Sequence, residues 1–455
     1  MKMAIPYMLA ILLVTMGIGA NAENTLSIMA KKAAGELSNP LFDERYPEVN
    51  LRKEDNALTG SAMDMAERMI SRDDQFDLFG IGYDYGGFEY MMEKNYCYDL
   101  SSDHRIKEQI NRMHPFLQQA VKMEDHIYGV PISVDGTGWG YSITNLQAVG
   151  IDPPDSYESL LDLMIWWIDE GKDEYPDYVF IREIGGLDVR TFLIRRIVFD
   201  YIDVCQEAGK EVRFETSNII GLFAKLDSID TTIIDKEIRE NSDGMSYEDN
   251  ALFIPQKSFT DLTSISIYGD EKAMPLSIAR GGDSVSAVDI RVFVLNPESK
   301  NVEGALNYLA CYLEGMNSEM QIRLFMGDHD PIPYEGYERD RAELEETLRR
   351  LEDEIQYAED DKKNELEYSI MVTQRDLDEV EKMKWMINSD SIDNYTRLTR
   401  QMFVKRQSLL KSDINEGELQ IQQLIDYYAA GQVNAQQFVQ QVDDKLEMIT
   451  SESVF

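Results

Sequence analysis

The sequence predicts an α/β protein of two lobes with an inserted α-helical hairpin. The chain has 455 residues, of which 43% are hydrophobic. It is too long for one ordinary core and long enough for two lobes and an appendage. Strand and helix patterns alternate in two separate sets, as in α/β lobes. A later stretch of charged helix formers with regularly spaced leucines predicts the hairpin.

The N-terminal segment has the pattern of a secretory signal peptide. Residues 1–22 contain Lys2, an apolar run, and the small residues Ala20 and Ala22 before the predicted cleavage point. The apolar run is short for a transmembrane helix. We therefore expect a secreted, extracellular or periplasmic protein, unless an uncleaved signal holds it at the membrane.

The cysteines predict neither a lipid anchor nor a disulfide framework. The chain contains Cys97, Cys205 and Cys311, and no cysteine follows the signal peptide directly. Three widely spaced cysteines are favoured as buried, small apolar residues, with one disulfide pair as the alternative.

The strong negative charge excludes some classes of partner. Asp and Glu outnumber Lys and Arg by 84 to 44, giving a formal net charge of −40. Nucleic acids and anionic membranes are bound by basic surfaces, so neither is expected as a partner. A solvated acidic surface that keeps an exported protein soluble explains the charge better than a cationic ligand does.

The elements of the predicted first lobe form a strand–helix–strand unit. A first strand covers Thr25–Ala30 and a second ends the stretch Leu41–Arg52. A helix then covers Ser61–Ser71, and a third strand covers Phe76–Gly82. This order predicts parallel strands with a right-handed crossover.

The next segment, Ile127–Asp152, is predicted to cross between the lobes. It is rich in β-branched residues but is interrupted by Pro131, Gly136, Gly138 and Gly140. Such a pattern is typical of a strand that bends or admits a close neighbour, followed here by an amphipathic helix.

A second α/β set follows, then a return strand and helix. The predicted elements are a helix over Ser156–Gly171 capped by Asp155 or Ser156, a strand over Tyr178–Ile181, helices over Val189–Ala208 and Ser217–Leu226, a strand over Ala251–Pro255, and a helix over Val302–Glu314. The predicted return strand comes directly before the helix over Val302–Glu314.

The hairpin and the C-terminal helices complete the chain. Between Tyr337 and Ile387, apolar residues recur at spacings of three and four, which favours two short antiparallel helices over one long dimeric coiled coil. A helix over Gln420–Ala430 and a final helix capped by Asn434 follow.

The order of these motifs resembles the extracellular solute-binding proteins of ABC importers, specifically the large carbohydrate-type family 1. The resemblance lies in the Tyr-Gly-Val-Pro strand at Tyr128, the Gly-Ile-Asp exit at Gly150, the return strand and helix, and the C-terminal helix pair. It implies the two-lobe periplasmic-binding-protein-like fold of type II and the transmembrane permease subunits of an ABC transporter as partners. We expect a monomer.

The resemblance also implies lobe boundaries. The predicted division is residues 23–134 plus 287–330 for lobe 1, 135–286 plus 388–455 for lobe 2, and 336–387 for the hairpin. Hinge crossings are predicted near residues 134–136, 286–289 and 327–334.

No sequence signature indicates a cofactor, a metal or catalysis. Gly80 and Gly82 begin a pattern like a dinucleotide fingerprint, but the third glycine is displaced and no helix opens there. There is also no phosphate-binding Gly-Lys-Ser or Gly-Lys-Thr loop. The segment after Gly282 fails the nucleophile-elbow pattern. The four histidines lack metal-binding spacing. We expect no cofactor, no metal and no catalytic residue.

Residues directly after strands are the predicted ligand site, because ligands of such folds sit at the carboxyl ends of strands. Sugars require flat aromatic rings and hydrogen-bonding charged groups. The predicted ligand-binding residues are Tyr83, Asp84, Tyr85, Asp135, Thr137, Trp139, Phe259, Arg280 and Asp283, with Lys257 beside them. For each an alternative stays open; Trp139, for example, is equally expected in a lobe core.

Four functional hypotheses follow. The preferred one is capture of a sugar or oligosaccharide between the lobes. The second is the same fold with a cationic solute, such as a polyamine or basic peptide. The third is a secreted glycoside hydrolase with two carboxylates. The fourth is a docking role for the hairpin, against which a structural brace is favoured.

Overall fold

The computed structural model describes most of the chain after the predicted signal peptide. The described residues are 25–30, 37–55, 68, 71–72, 75–82, 88–182, 184–241, 250–263, 271–282, 284, 286–358, 360–405 and 416–452. The signal peptide and most of the predicted helix at 61–71 lie outside these ranges. No helix in the described ranges is long and apolar enough to cross a membrane.

The strands form two main sheets and two short ladders. In chain order they are β1 (Thr25–Ala30), β2 (Asn50–Asp55), β3 (Leu78–Gly82), β4 (Lys122–Met123), β5 (His126–Ile127), β6 (Val130–Asp135), β7 (Thr137–Ser142), β8 (Val179–Ile181), β9 (Ala251–Ser258), β10 (Glu271–Ala273), β11 (Ser286–Leu295), β12 (Ile332–Pro333), β13 (Trp385–Ile387) and β14 (Met402–Val404).

The helices cover and connect these sheets. In chain order they are α1 (Pro40–Arg45), α2 (Phe88–Glu93), α3 (His104–Arg112), α4 (Pro115–Val121), α5 (Ile143–Val149), α6 (Tyr157–Trp166), α7 (Lys172–Glu174), α8 (Val189–Glu207), α9 (Ser217–Asp227), α10 (Thr232–Asn241), α11 (Val302–Glu314), α12 (Ser318–Leu324), α13 (Tyr337–Gln356), α14 (Asp360–Lys382), α15 (Ser389–Leu398), α16 (Glu416–Ala429) and α17 (Ala435–Glu452). A π-helical turn, Trp167–Gly171, joins α6 to α7.

The first sheet has the order β14-β11-β3-β1-β2, with β6 also paired to β11. Strand β1 is parallel to β2 and β3, so the predicted parallel pair is confirmed. Strand β11 runs antiparallel to β3 and β6. All five residues of β3 are buried, and β3 is an interior strand that pairs with β1 on one edge and β11 on the other. This sheet lies in the first hydrophobic cluster.

The second sheet has the order β10-β7-β9-β8. It contributes to a separate hydrophobic cluster that contains Trp139 of β7, Phe253 of β9 and the apolar faces of α6, α8 and α9. The two C-terminal helices, α16 and α17, also pack in this cluster. The chain therefore buries its apolar residues in two cores, as the predicted two-lobe α/β fold requires.

The predicted crossing segment joins the two sheets. Strand β6 pairs with β11 in the first sheet, and β7, which begins two residues after β6 ends, pairs with β9 in the second. Gly136 alone separates the two strands. The chain thus passes from one lobe to the other through a single residue.

Several predicted helix ends are also confirmed. The Ser156 side chain accepts a hydrogen bond from the Ser159 backbone in a reciprocal capping arrangement at the start of α6. The Asn434 side chain accepts a hydrogen bond from the Gln437 backbone N–H at 2.9 Å, before α17.

All three cysteines are free and buried, which is the state that the sequence favours.

Two stretches pack differently from the predicted lobe boundaries. Phe259 and Leu262, within the predicted lobe 2, are buried in the first cluster, and the second stretch follows the hairpin. Residues 388–455 were assigned to lobe 2, but Tyr395 of α15 and Met402 of β14 are buried in the first cluster. The reason is long-range pairing, since β14 lies parallel to β11 with Val288 opposite Val404. The chain leaves the first lobe after Lys405 rather than at the predicted crossing near 327–334. The residues between Lys405 and α16 lie outside the described ranges.

The helical hairpin forms as predicted. Arg341 near the start of α13 pairs with Glu381 near the end of α14 at 2.8 Å, so the two helices are antiparallel. The Tyr337 hydroxyl donates to the same Glu381 carboxylate at 2.7 Å. At the base, β12 pairs with β13 through Ile332 and Ile387. The hairpin is thus closed at its base by its own contacts.

We expect the hairpin to be removable without loss of the fold. Replacing residues 338–381 by a short glycine–serine turn should reduce the helical circular dichroism signal. It should change the free energy of unfolding of the remaining protein by no more than about 1 kcal/mol, since shortening a surface loop costs little. Urea denaturation measures this. Leu309→Ala, a fully buried residue of the first cluster, is the matched control and should cost about 2–5 kcal/mol. Failure of the shortened chain to fold would contradict the prediction.

Candidate functional site

A cleft lies where the two lobes meet. We call it the junction cleft; its cavity volume is about 20 Å³, room for about one water molecule, and it is lined by Thr137, Trp139, Arg196, Asp200, Asp203, Phe259, Met274, Pro275, Leu276, Ala287 and Lys405. The lining comes from β7, α8, the chain after β9, the chain after β10, β11 and the residue after β14. Both lobes therefore contribute side chains.

The crossing strand is packed closely against Phe259. A Cβ atom added at Gly138 would lie 2.0 Å from the Phe259 ring, and one added at Gly136 would lie 2.7 Å from Val288. The Phe259 N–H also donates to the Gly136 carbonyl at 2.8 Å. The glycines therefore admit the ring and the neighbouring strand directly against the backbone of the crossing.

Trp139 is part of the second core and also lines the cleft. It is 1% exposed, and its ring meets Phe192 edge to face at 5.5 Å. The indole N–H donates to the Tyr157 hydroxyl at 3.3 Å, and that hydroxyl in turn donates to Asp200. Burial raises the pKa of Tyr157 well above its usual value. The core alternative for Trp139 is therefore the arrangement observed.

Helix α8 supplies a row of charges to the cleft. Arg196, Asp200 and Asp203 are spaced by four and three residues, so they lie on one face of the helix. Arg196 and Asp200 approach to 3.4 Å. Across the junction, the Lys405 ammonium lies 4.0 Å from Asp203. Burial raises the pKa of Asp203 to about 7, with Lys405 and Arg196 acting against the rise and Asp200 and Asp289 adding to it.

These charged residues were absent from the predicted site. Helix α8 is otherwise apolar on its buried side, where Phe192, Leu193, Ile197 and Val198 pack. Charged residues at positions i, i+4 and i+7 of an otherwise apolar helix predict a polar cavity next to that face of the helix. Lys405 carries no comparable local signal, because only the pairing of β14 with β11 brings it to the junction.

The structure brings three predicted residues together at the cleft, namely Thr137, Trp139 and Phe259. Asp135 is exposed at the end of β6, opposite Asp289 of β11. Arg280 lies elsewhere in the second lobe, where it pairs with Asp162 of α6. The predicted residues Tyr83, Asp84, Tyr85 and Asp283 lie outside the described ranges.

Lys257 belongs to an ion-pair network on the second sheet. Its ammonium lies 3.3 Å from Glu271 and 3.3 Å from Asp261. Glu271 also binds Arg182 at 2.5 Å. The Lys257 stem crosses Gly140, where an added Cβ would lie 2.6 Å away. The network therefore joins β8, β9 and β10 across the strand that carries the crossing.

The described residues contain no group of three or more His, Cys, Asp or Glu side chains arranged to hold a metal ion. In the arrangement described, the junction cleft has room for about one water molecule, so a larger solute requires the lobes to move apart. The cleft offers the apolar surface of Phe259, the exposed hydroxyl of Thr137, and charged donors and acceptors from Arg196, Asp203 and Lys405.

No protein-family model and no curated protein matches this sequence. Among solved structures, it is similar to the cyclic α-maltosyl-1,6-maltose binding protein of Arthrobacter globiformis, with a TM-score of 0.56 and 11% identity over 94% of this chain and 99% of that one. It is also similar to the putative binding protein MsmE of Bacillus subtilis subsp. subtilis strain 168 in an open conformation, with a TM-score of 0.55 and 14% identity over 95% and 98%. A third is RafE in complex with raffinose, with a TM-score of 0.52 and 13% identity over 94% and 99%.

These likenesses extend over nearly the whole of each chain. They show that the protein has the two-lobe fold of the solute-binding proteins, which confirms the predicted fold class.

The burial of Trp139 gives a direct prediction. Trp139→Ala should lower the free energy of unfolding by about 3–5 kcal/mol, because it leaves a cavity in the second core. Thr137→Ala, two residues away on the same strand but exposed, should change it by less than about 0.5 kcal/mol. Urea denaturation followed by far-UV circular dichroism compares the two. Equal, small effects would show that Trp139 does not pack as described.

Proposed function

We propose that this protein is the extracellular solute-binding component of an ABC importer and that it captures a sugar or oligosaccharide between its lobes. The observation that carries the proposal is the junction cleft. Its lining residues come from both lobes, and the chain crosses between the lobes beside it at Gly136. The solved proteins of similar fold include a cyclic α-maltosyl-1,6-maltose binding protein and RafE in complex with raffinose. The solute would then be passed to a membrane permease.

The physical basis is binding without covalent chemistry. A solute that contacts both lobes stabilises the arrangement in which the lobes enclose it, and so shifts the population towards that arrangement. A permease that recognises the enclosed form would thereby distinguish loaded from empty protein. Such a role requires no catalytic residue.

The lining of the junction cleft suits a neutral, hydroxyl-rich solute. The Arg196 Nε–H is buried and, within the described part of the chain, has no hydrogen-bond acceptor. A buried donor without a partner is costly, so a sugar hydroxyl that accepts this hydrogen bond would be stabilising. Thr137 offers a second polar group at the edge of the cleft.

The alternative of a cationic solute is supported by Asp135, Asp200 and Asp203 near the junction and by the net charge of −40. Against it, Arg196 and Lys405 place two positive charges in the same cleft. Salt dependence distinguishes the two ligand classes. Capture of a cation should weaken steeply as ionic strength rises, whereas binding of a neutral sugar should change little.

Titration calorimetry against maltose, raffinose and related oligosaccharides tests the proposal. We expect heat of binding from at least one sugar, with little change between low and physiological salt. Thr137→Val, which removes a hydroxyl but keeps the side-chain volume, should weaken binding by about 2- to 10-fold. Asp84→Ala should also weaken it if the predicted site residues contact the ligand.

The controls are chosen to separate binding from catalysis and from misfolding. Asp390→Ala, on an exposed position of α15, should leave the affinity unchanged. Chromogenic glycosides should not be hydrolysed. No heat from any sugar or related small solute would count against the proposal, and turnover would replace it with the glycosidase alternative.

A further inference from the structure

One ion pair connects the two lobes at the junction. Lys405 is fixed to the first lobe, because its backbone N–H donates to the Val288 carbonyl of β11 at 2.9 Å. Asp203 belongs to α8, whose apolar face lies in the second cluster. The 4.0 Å contact between the Lys405 ammonium and the Asp203 carboxylate therefore spans the junction.

The Asp203 side chain is largely enclosed, with 19% of its surface exposed. The charged groups that act on it come from each element around it. Helix α8 contributes Arg196 and Asp200, β11 contributes Asp289, and the residue after β14 is Lys405. The Asp289 Oδ1 atom is also buried, and it has no hydrogen-bond donor among the described residues. Three carboxylates thus face two basic groups.

This balance depends on the ionisation of Asp203. When Asp203 is ionised, it attracts Lys405 but is repelled by Asp200 and Asp289, and burial opposes its charge. When it is protonated, the ion pair and both repulsions disappear together. Burial, as the largest cause, raises the pKa of Asp203 from 3.8 to about 7. The carboxyl therefore changes its charge close to neutral pH.

We propose that Asp203 is a proton-responsive contact between the lobes, so that the balance between lobe arrangements shifts with pH even without a ligand. The direction of the shift follows from the linkage between proton binding and the lobe equilibrium. The arrangement described here binds the proton more tightly than any arrangement in which Asp203 contacts water. Lower pH therefore favours the described arrangement, and higher pH favours the one that hydrates Asp203.

Single-molecule energy transfer between the lobes of the ligand-free, full chain tests this. Fluorophores are attached at Lys107→Cys on α3 and Asp444→Cys on α17, which are exposed positions of the two lobes. The native cysteines are buried. Between about pH 8.5 and 5.5 we expect the population ratio to change by up to about thirtyfold, with the change setting in as the pH falls below about 7. Because no ligand is present, the result is independent of the proposed sugar binding.

Three variants identify the group that titrates. Asp203→Asn, which is neutral at every pH, should hold the low-pH distribution throughout. Lys405→Gln removes a positive charge that favours ionisation of Asp203, so the pH at which the change sets in should move upward. Glu237→Gln is the matched control, because burial also raises the pKa of Glu237 to about 7, but its bonds to Trp167 and Phe180 lie within the second lobe.

These variants give one result that supports the proposal and several that would overturn it. Loss of the pH response in Asp203→Asn, with its retention in Glu237→Gln, supports the proposal. A distribution that is constant with pH in the unaltered protein would overturn it. A pH response that persists in Asp203→Asn would also overturn it, as would an unchanged onset pH in Lys405→Gln. The Lys405 variant keeps the test valid if Asp203→Asn does not fold.

Discussion

The close approach of backbone and side chains at the crossing is the constraint on which the other features depend. Strand β6 ends in one sheet and β7 begins in the other with Gly136 alone between them. The Phe259 ring and Val288 lie where side chains at Gly138 and Gly136 would be. Because these contacts fix the chain at a single point, two cores can form on either side and still share one cleft.

The same proximity brings charges from both lobes into a poorly hydrated space. Arg196, Asp200 and Asp203 point from the second lobe towards Lys405 of the first. Charges in such surroundings interact more strongly than at a free surface. The junction is thus both the proposed place of solute binding and the place where a proton changes the contact between lobes. Both effects act on one equilibrium, the relative arrangement of the lobes.

Local patterns allowed much of the fold to be predicted. Three predicted features depend only on residues close together in the sequence, and all three form: the glycine-rich crossing, the Asn434 cap and the helical hairpin. The pairing of β14 with β11 was not predictable, because it joins residues more than 100 positions apart. For the same reason the sequence does not indicate Lys405 as a cleft residue. Arg280 does not line the cleft, because it pairs with Asp162 within the second lobe. The sequence is compatible with Trp139 either in a lobe core or at the ligand site. Its burial and its hydrogen bond to the Tyr157 hydroxyl place it in the second core.

Small-angle X-ray scattering of the chain with and without a saturating sugar tests the central claim that the lobes close around a solute at the junction. The measurement is best made on the chain that lacks residues 338–381, so that the hairpin does not contribute to the radius of gyration. The account predicts a smaller radius of gyration when a sugar that gives heat in calorimetry is bound. An unchanged radius of gyration with that sugar bound would contradict it.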